Sequence, residues 1–165
     1  IQTDVTNLKS VGGWAQYADT TYTSVAPFTI NAGVTAILDN NANTEINTYL
    51  PVGVTSFYNG VTNKIVPNTL GDKYIINIRF KAKTSVNNDY LSIGLDIGGT
   101  QNIIIEETKP FLRGANTEQK FNIVFPIYSL ATFLANGGLI KVTANSGNLQ
   151  IYDIVYVIER TFKAV

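Results

Sequence analysis

Along the chain, apolar residues recur at every second position far more clearly than at every third or fourth. In residues 73–83, Tyr74, Ile76, Ile78, Phe80 and Ala82 share one face while Asn77, Arg79, Lys81 and Lys83 take the other. Successive strand side chains point to opposite faces, so this segment predicts a strand with one face in a core and the other in water. After the turn Asn87-Asn88-Asp89 the pattern repeats, with Leu91, Ile93, Leu95 and Ile97 opposite Ser92, Gly94 and Asp96. It returns in Phe121, Ile123, Phe125 and Ile127, where Pro126 argues for an edge or a bulge because it cannot donate to a ladder. Shorter strands are expected over 14–22, 28–30, 35–38, 56–66, 103–106 and 139–143, and a long last one over 149–160. One helical signal stands out, residues 129–136, with Ser129 as N-cap and Gly137 as stop.

Many short strands, clustered turn residues and almost no helix predict an all-β chain, an antiparallel two-sheet jelly-roll sandwich with one short helical turn near 129–136. The last strand departs from simple alternation. Leu149, Ile151, Val155 and Val157 read as one face, and Tyr152, Ile154, Tyr156 and Ile158 as the other. A sandwich strand ordinarily has one wet face, so something should cover the second. Tyrosines among branched aliphatics suit a buried subunit contact, which makes Tyr152, Ile154, Tyr156 and Ile158 the expected oligomer interface. The chain's own tail or a loop is the other candidate cover.

Composition narrows the chemistry. The 165 residues contain no Cys, no Met and no His, and 12 Lys+Arg balance 12 Asp+Glu. Disulfides, zinc–thiolate sites and thiol nucleophiles are excluded, as are Ser-His-Asp and Cys-His hydrolases. Zero formal charge argues against nucleic acid and membrane surfaces as partners, because proteins that neutralise phosphates carry a basic excess. Thr (19) and Asn (18) supply the polar surface. Residues 1–13, ending in Gly12-Gly13, read as a tether and 14–165 as the jelly-roll domain. A chain opening Ile1-Gln2-Thr3-Asp4 is expected to follow a further segment.

A jelly roll whose terminal strand is apolar on both faces is similar to the tumour-necrosis-factor-like and complement-head-like trimers. The tether before Trp14, the Thr/Asn-rich turns, the 73–83 strand, and Tyr128-Ser129-Leu130 running into Asn136-Gly137-Gly138 also resemble jelly-roll domains of tailed-bacteriophage virions. That resemblance implies a homotrimeric virion structural protein without enzymatic activity, a capsid decoration or fibre head. It would be joined to other virion proteins through its N-terminal segment and face the host surface. A carbohydrate-binding module of a larger secreted protein is the alternative.

No catalytic residues and no cofactor are expected. Glu106 and Glu107 are adjacent and so point to opposite faces, which disqualifies them as a glycosidase pair. Asp39, Asn41 and Asn43 match the first alternate ligands of a calcium loop, but Thr44 stands where such a loop needs Gly and Leu50 where it needs Glu. An EF-hand is excluded; a looser calcium site competes with an Asx-rich turn. The Gly94–Thr100 stretch lacks the Lys and following helix of a phosphate loop. Trp14, Tyr17, Tyr22 and Tyr58 are the candidates for stacking on a glycan, although tyrosines of a β protein more often serve an interface or the core.

Overall fold

The computed structural model describes residues 11–100 and 102–165. Most of the segment expected as a tether lies outside them, and Gly13 already opens the first strand. Two antiparallel sheets face each other. Sheet I has the order β10 (Gln119–Tyr128), β7 (Lys73–Thr84), β12 (Leu149–Phe162), β1 (Gly13–Ala18), β4 (Thr44–Ile46), with β2 (Phe28–Ile30) also on β12. Sheet II runs β5 (Tyr58–Asn59), β6 (Lys64–Ile65), β11 (Gly138–Ala144), β8 (Tyr90–Asp96), β9 (Ile103–Pro110), with β3 (Thr35–Ile37) on β11. The alternating residues of β7, β8 and β10 point inward and form the core between the sheets. β10 is an edge strand, which is the position Pro126 requires.

The last strand corrects the two-face reading. The pairing of β12 with β7 slips between Tyr152 and Val155, and Asp153 there has φ 54°. This is a β-bulge: one additional residue reverses the alternation. Leu149 and Ile151 face the core before it, and Ile154, Tyr156 and Ile158 face the same core after it, all five at most 1% exposed. Ile154, Tyr156 and Ile158, expected to meet a partner, are therefore interior to the single chain. Of the expected four, Tyr152 alone lies on the outward side, in register with Lys81.

Other differences have equally local causes. β1 stops at Ala18 instead of continuing to Tyr22, because the Asp19 carboxylate accepts the Tyr22 N–H and turns the chain. Residues 56–66 form a tight hairpin, β5 and β6, whose turn is held by Asn59 Oδ1 accepting the N–H groups of Val61 and Thr62. β9 continues to Pro110, and β4 follows a segment that reads as an Asn-rich turn. Helix α1 is Ala131–Asn136, shorter than expected. Ser129 does not cap it: its N–H donates to Asp72 O and its carbonyl accepts from Gly71, so it finishes the strand pairing instead. Gly137 does end the helix, with φ 71°, a conformation open to glycine, and its N–H donates to Phe133 O.

Candidate assembly surface

The outward face of sheet I can be followed row by row across the strands. Val124 stands opposite Asn77, Asn77 opposite Val157, Val157 opposite Gln16, and Gln16 opposite Ile46. One row nearer the chain termini lie Pro126, Ile75, Glu159 and Trp14. Val124, Trp14, Ile46 and Tyr128 are 40%, 36%, 38% and 60% exposed, and Ile75, Val155 and Val157 are half-buried between them. Asn77, at the centre, has a buried Oδ1 with no hydrogen-bond partner among the described residues. Apolar residues outnumber Asn77, Gln16 and Glu159 on this field five strands wide, a face that an isolated sandwich would ordinarily make polar.

Toward the opposite end the same face becomes ionic. Lys81 Nζ lies 2.9 Å from Asp153 and 3.8 Å from Glu118. Tyr152 donates to Glu118 Oε2 at 2.6 Å, and the Lys83 ammonium sits 5.8 Å from the centre of its ring. Burial and the neighbouring Glu118 push the Tyr152 phenol up to about 12, while the Tyr152 hydroxyl holds the Glu118 carboxyl low. Tyr152 is thus covered by its own chain.

The proposed glycan-stacking residues do not come together. Tyr17 and Tyr58 are in the core, 0% and 3% exposed, with ring centres 5.4 Å apart. The Tyr17 hydroxyl accepts the Phe57 N–H, and Tyr58 donates to Asn40 O and Asn63 Oδ1. Tyr156 packs edge-on against Tyr58 and donates to Leu38 O, joining the tyrosine cluster across the sandwich. Complete burial, then the nearby Tyr58, raise its phenol well above the ordinary value. Tyr22 is half-buried, edge-on to Phe28 and bonded to Asp39. Burial first and Asp39 second push it up to about 12. Trp14 alone of the four is exposed, and it stacks on Tyr49, a residue that the sequence pattern did not single out. The two are 35 positions apart in the chain, one on a strand and one on a loop, so no local spacing pointed to the pair.

The Asp39, Asn41 and Asn43 loop is closed upon itself and its neighbours. Asp39 accepts from Tyr22 and from Asn63 Nδ2. Asn41 Oδ1 accepts the Asn43 N–H, its Nδ2 donates to Thr21 Oγ1, and Asn43 Nδ2 donates to Thr20 Oγ1. These are the bonds of an Asx-rich turn. Among the described residues, no three His, Cys, Asp or Glu side chains gather as a metal-ligand group. The buried carboxylates are committed as well. Asp72 pairs with Arg160, and Asp96 with Lys141, whose hydrogen bond lowers its carboxyl. For Asp89 burial raises the carboxyl, but Thr84, Ser146, Tyr90 and Asn145 together outweigh it and hold the group low. None of these downward shifts gives the protonated carboxyl that a general acid needs.

No family model and no curated protein matches the chain. Solved structures do. An Eiger TNF from S. frugiperda is similar at a TM-score of 0.56 and 11% identity, covering 94% of each chain. The PRD1 vertex protein P5 has a TM-score of 0.49 at 12% identity, over 93% of this chain and 74% of that one. The structure titled BiXyn10A CBM1 APO has a TM-score of 0.41 at 15% identity, over 88% of this chain and 89% of that one. At these identities the likeness is one of fold. The chain folds as an antiparallel two-sheet jelly roll, similar in fold to the Eiger TNF.

Proposed function

We propose that the chain is a non-enzymatic structural protein of a virus particle, a homotrimeric capsid-decoration or fibre-head domain. Its N-terminal segment attaches it to other virion proteins and its far loops serve adhesion, with a host-surface glycan as one partner. The observation that carries this reading is the uncovered apolar face of sheet I, running from Val124 and Tyr128 through Ile75 and Val157 to Trp14 and Ile46. Three copies packed on that face bury it, and multiplied loops gain avidity without a strong single contact.

The polarity of the domain supports the same assignment. At one end Val11 O accepts from Arg160 Nε and the Ala164 N–H donates to Asp72, so both described ends of the chain leave together. At the other end the loops 31–34, 85–89, 111–118 and 145–148 bond one another through Asn148, Ser85, Asn87 and Asn116. One end is thereby free to meet a particle while the other faces outward. The test is immunogold electron microscopy with antibodies against the folded domain. Labelled shells or fibre tips on intact particles are expected; particles without label would refute the assignment.

The alternative, a carbohydrate-binding module, is favoured by the exposed Trp14–Tyr49 stack. Glycan-array binding by a monomeric chain, lost on Trp14→Ala, would establish it instead.

A further inference from the structure

Two apolar features lie on opposite margins of sheet I, and neither is covered within one chain. At the β10 margin a groove of about 570 Å³ opens between the sheets, lined by Ile103, Ile105, Pro126, Tyr128, Leu130 and Thr132 among others. Its walls are the edge strands of both sheets, β10 and β9, beside helix α1. At the β1–β4 margin stands the Trp14–Tyr49 stack, ring centres 4.9 Å apart and planes 18° from parallel. It is a fixed knob: the Trp14 N–H donates to Tyr49 O at 3.0 Å, and the two rings are 36% and 57% exposed.

Knob and groove cannot meet in one chain, because three strand spacings, about 14 Å, separate β1, which carries Trp14, from β10. They do share a level. Trp14 belongs to the cross-strand row that runs through Glu159 and Ile75 to Pro126, a wall of the groove. Rotation about an axis along the strands therefore carries one copy's knob to the height of its neighbour's groove. Concave and convex patches are different surfaces, so the contact is head-to-tail, the kind that closes into a ring or runs on as a filament. Trp14 projects from the outward face whereas the groove opens at an edge. Each contact thus sets an edge against a face and turns the next copy, enclosing the apolar faces in a ring.

We propose that the groove between β9, β10 and α1 receives the Trp14–Tyr49 pair of a second copy of this chain. The proposal rests on the assembly reading above and names its contact. The groove falls in the size range that accommodates an aromatic group with its surroundings, and Trp and Tyr are the residue types that anchor interfaces. Thr132 and Tyr128 add hydroxyls to the lining, acceptors for an indole N–H.

The chain contains no Cys, so engineered thiols report one contact only. Oxidised Tyr49→Cys/Leu130→Cys protein is expected to form interchain disulfides that build to a closed trimer on non-reducing gels, while each single variant stays uncrosslinked. Trp14→Ala, which empties the knob, and Thr132→Trp, which fills the groove, are each expected to weaken assembly by roughly thirty-fold or more, with the circular dichroism of the folded chain unchanged. A trimer by light scattering that is indifferent to both substitutions and forms no such disulfide overturns the proposal and leaves the assembly reading intact. A wild-type chain that is monomeric overturns both.

Discussion

The Asp72–Arg160 pair is the most buried ionic contact among the described residues, with side chains 0% and 3% exposed. Asp72 Oδ2 accepts from Arg160 Nη1 at 3.4 Å and from the Tyr74 hydroxyl at 3.1 Å, while Oδ1 accepts the Ala164 N–H. Arg160 in turn donates from Nε to Val11 O. One pair thus links the start of β7, the end of β12, the entering chain and the C-terminal tail. Asp72→Asn keeps the shape and withdraws the Asp72 carboxylate from the buried guanidinium. Removing one partner of a buried pair costs about 3–5 kcal/mol, against a total stability of roughly 5–15 kcal/mol. For a domain of this size that corresponds to a fall in Tm of roughly 6–20 °C. Calorimetry at pH 7 and fixed chain concentration measures it, since assembly adds to apparent stability. Arg160→Met, alone and on the Asp72→Asn background, closes a double-mutant cycle, in which the coupling between the two side chains is expected to exceed about 1 kcal/mol. An Asp72→Asn variant within about 1 kcal/mol of the parent, or a cycle in which the two substitutions simply add, would refute the reasoning.

Acid should weaken the fold in a defined window. Asp89 and Asp96 are held low in the folded chain, so the stability they add is present above the unfolded carboxyl value, near 4, and is lost as pH falls through their folded values. Tm measured between pH 6 and 3 is expected to drop, with a shallower slope for Asp89→Asn; an unchanged slope contradicts the assignment. Tyr156→Phe strips Leu38 O of its buried donor and is expected to cost about 1–3 kcal/mol in urea denaturation. Val157→Lys places a charge in the middle of the sheet I face, where an assembly would trap it. Sedimentation velocity should show a folded monomer; a trimer of wild-type stability would count against that face.

Regular alternation carried most of the architecture. In β7, β8 and β10 one side must face a core and the other water, so the residues name their own faces and the edge position of β10 follows from Pro126. The last strand misled because a bulge leaves no compositional mark when its additional residue is an ordinary Asp. Asp153 adopts φ 54° through its place in the sheet, opposite an intact β7 and with its N–H donating to Tyr22 O. Counting by two across it assigns Ile154, Tyr156 and Ile158 to the wrong side. The apolar outward face escaped notice for a related reason. It is assembled from single residues on five strands, Val124, Ile75, Val157, Trp14 and Ile46, and only the register brings them together. For Tyr17 and Tyr58 the sequence left interface, core and glycan platform open, and the structure puts both in the core, where their hydroxyls find partners in distant loops.

Light scattering of the full chain in solution, from sub-micromolar to tens of micromolar concentration, tests the central claim that this sandwich is built to assemble through the outward face of sheet I. The expected result is a mass three times the 18.0 kDa of one chain, falling to a single chain in Val157→Lys. A wild-type mass of 18.0 kDa throughout that range would contradict the claim.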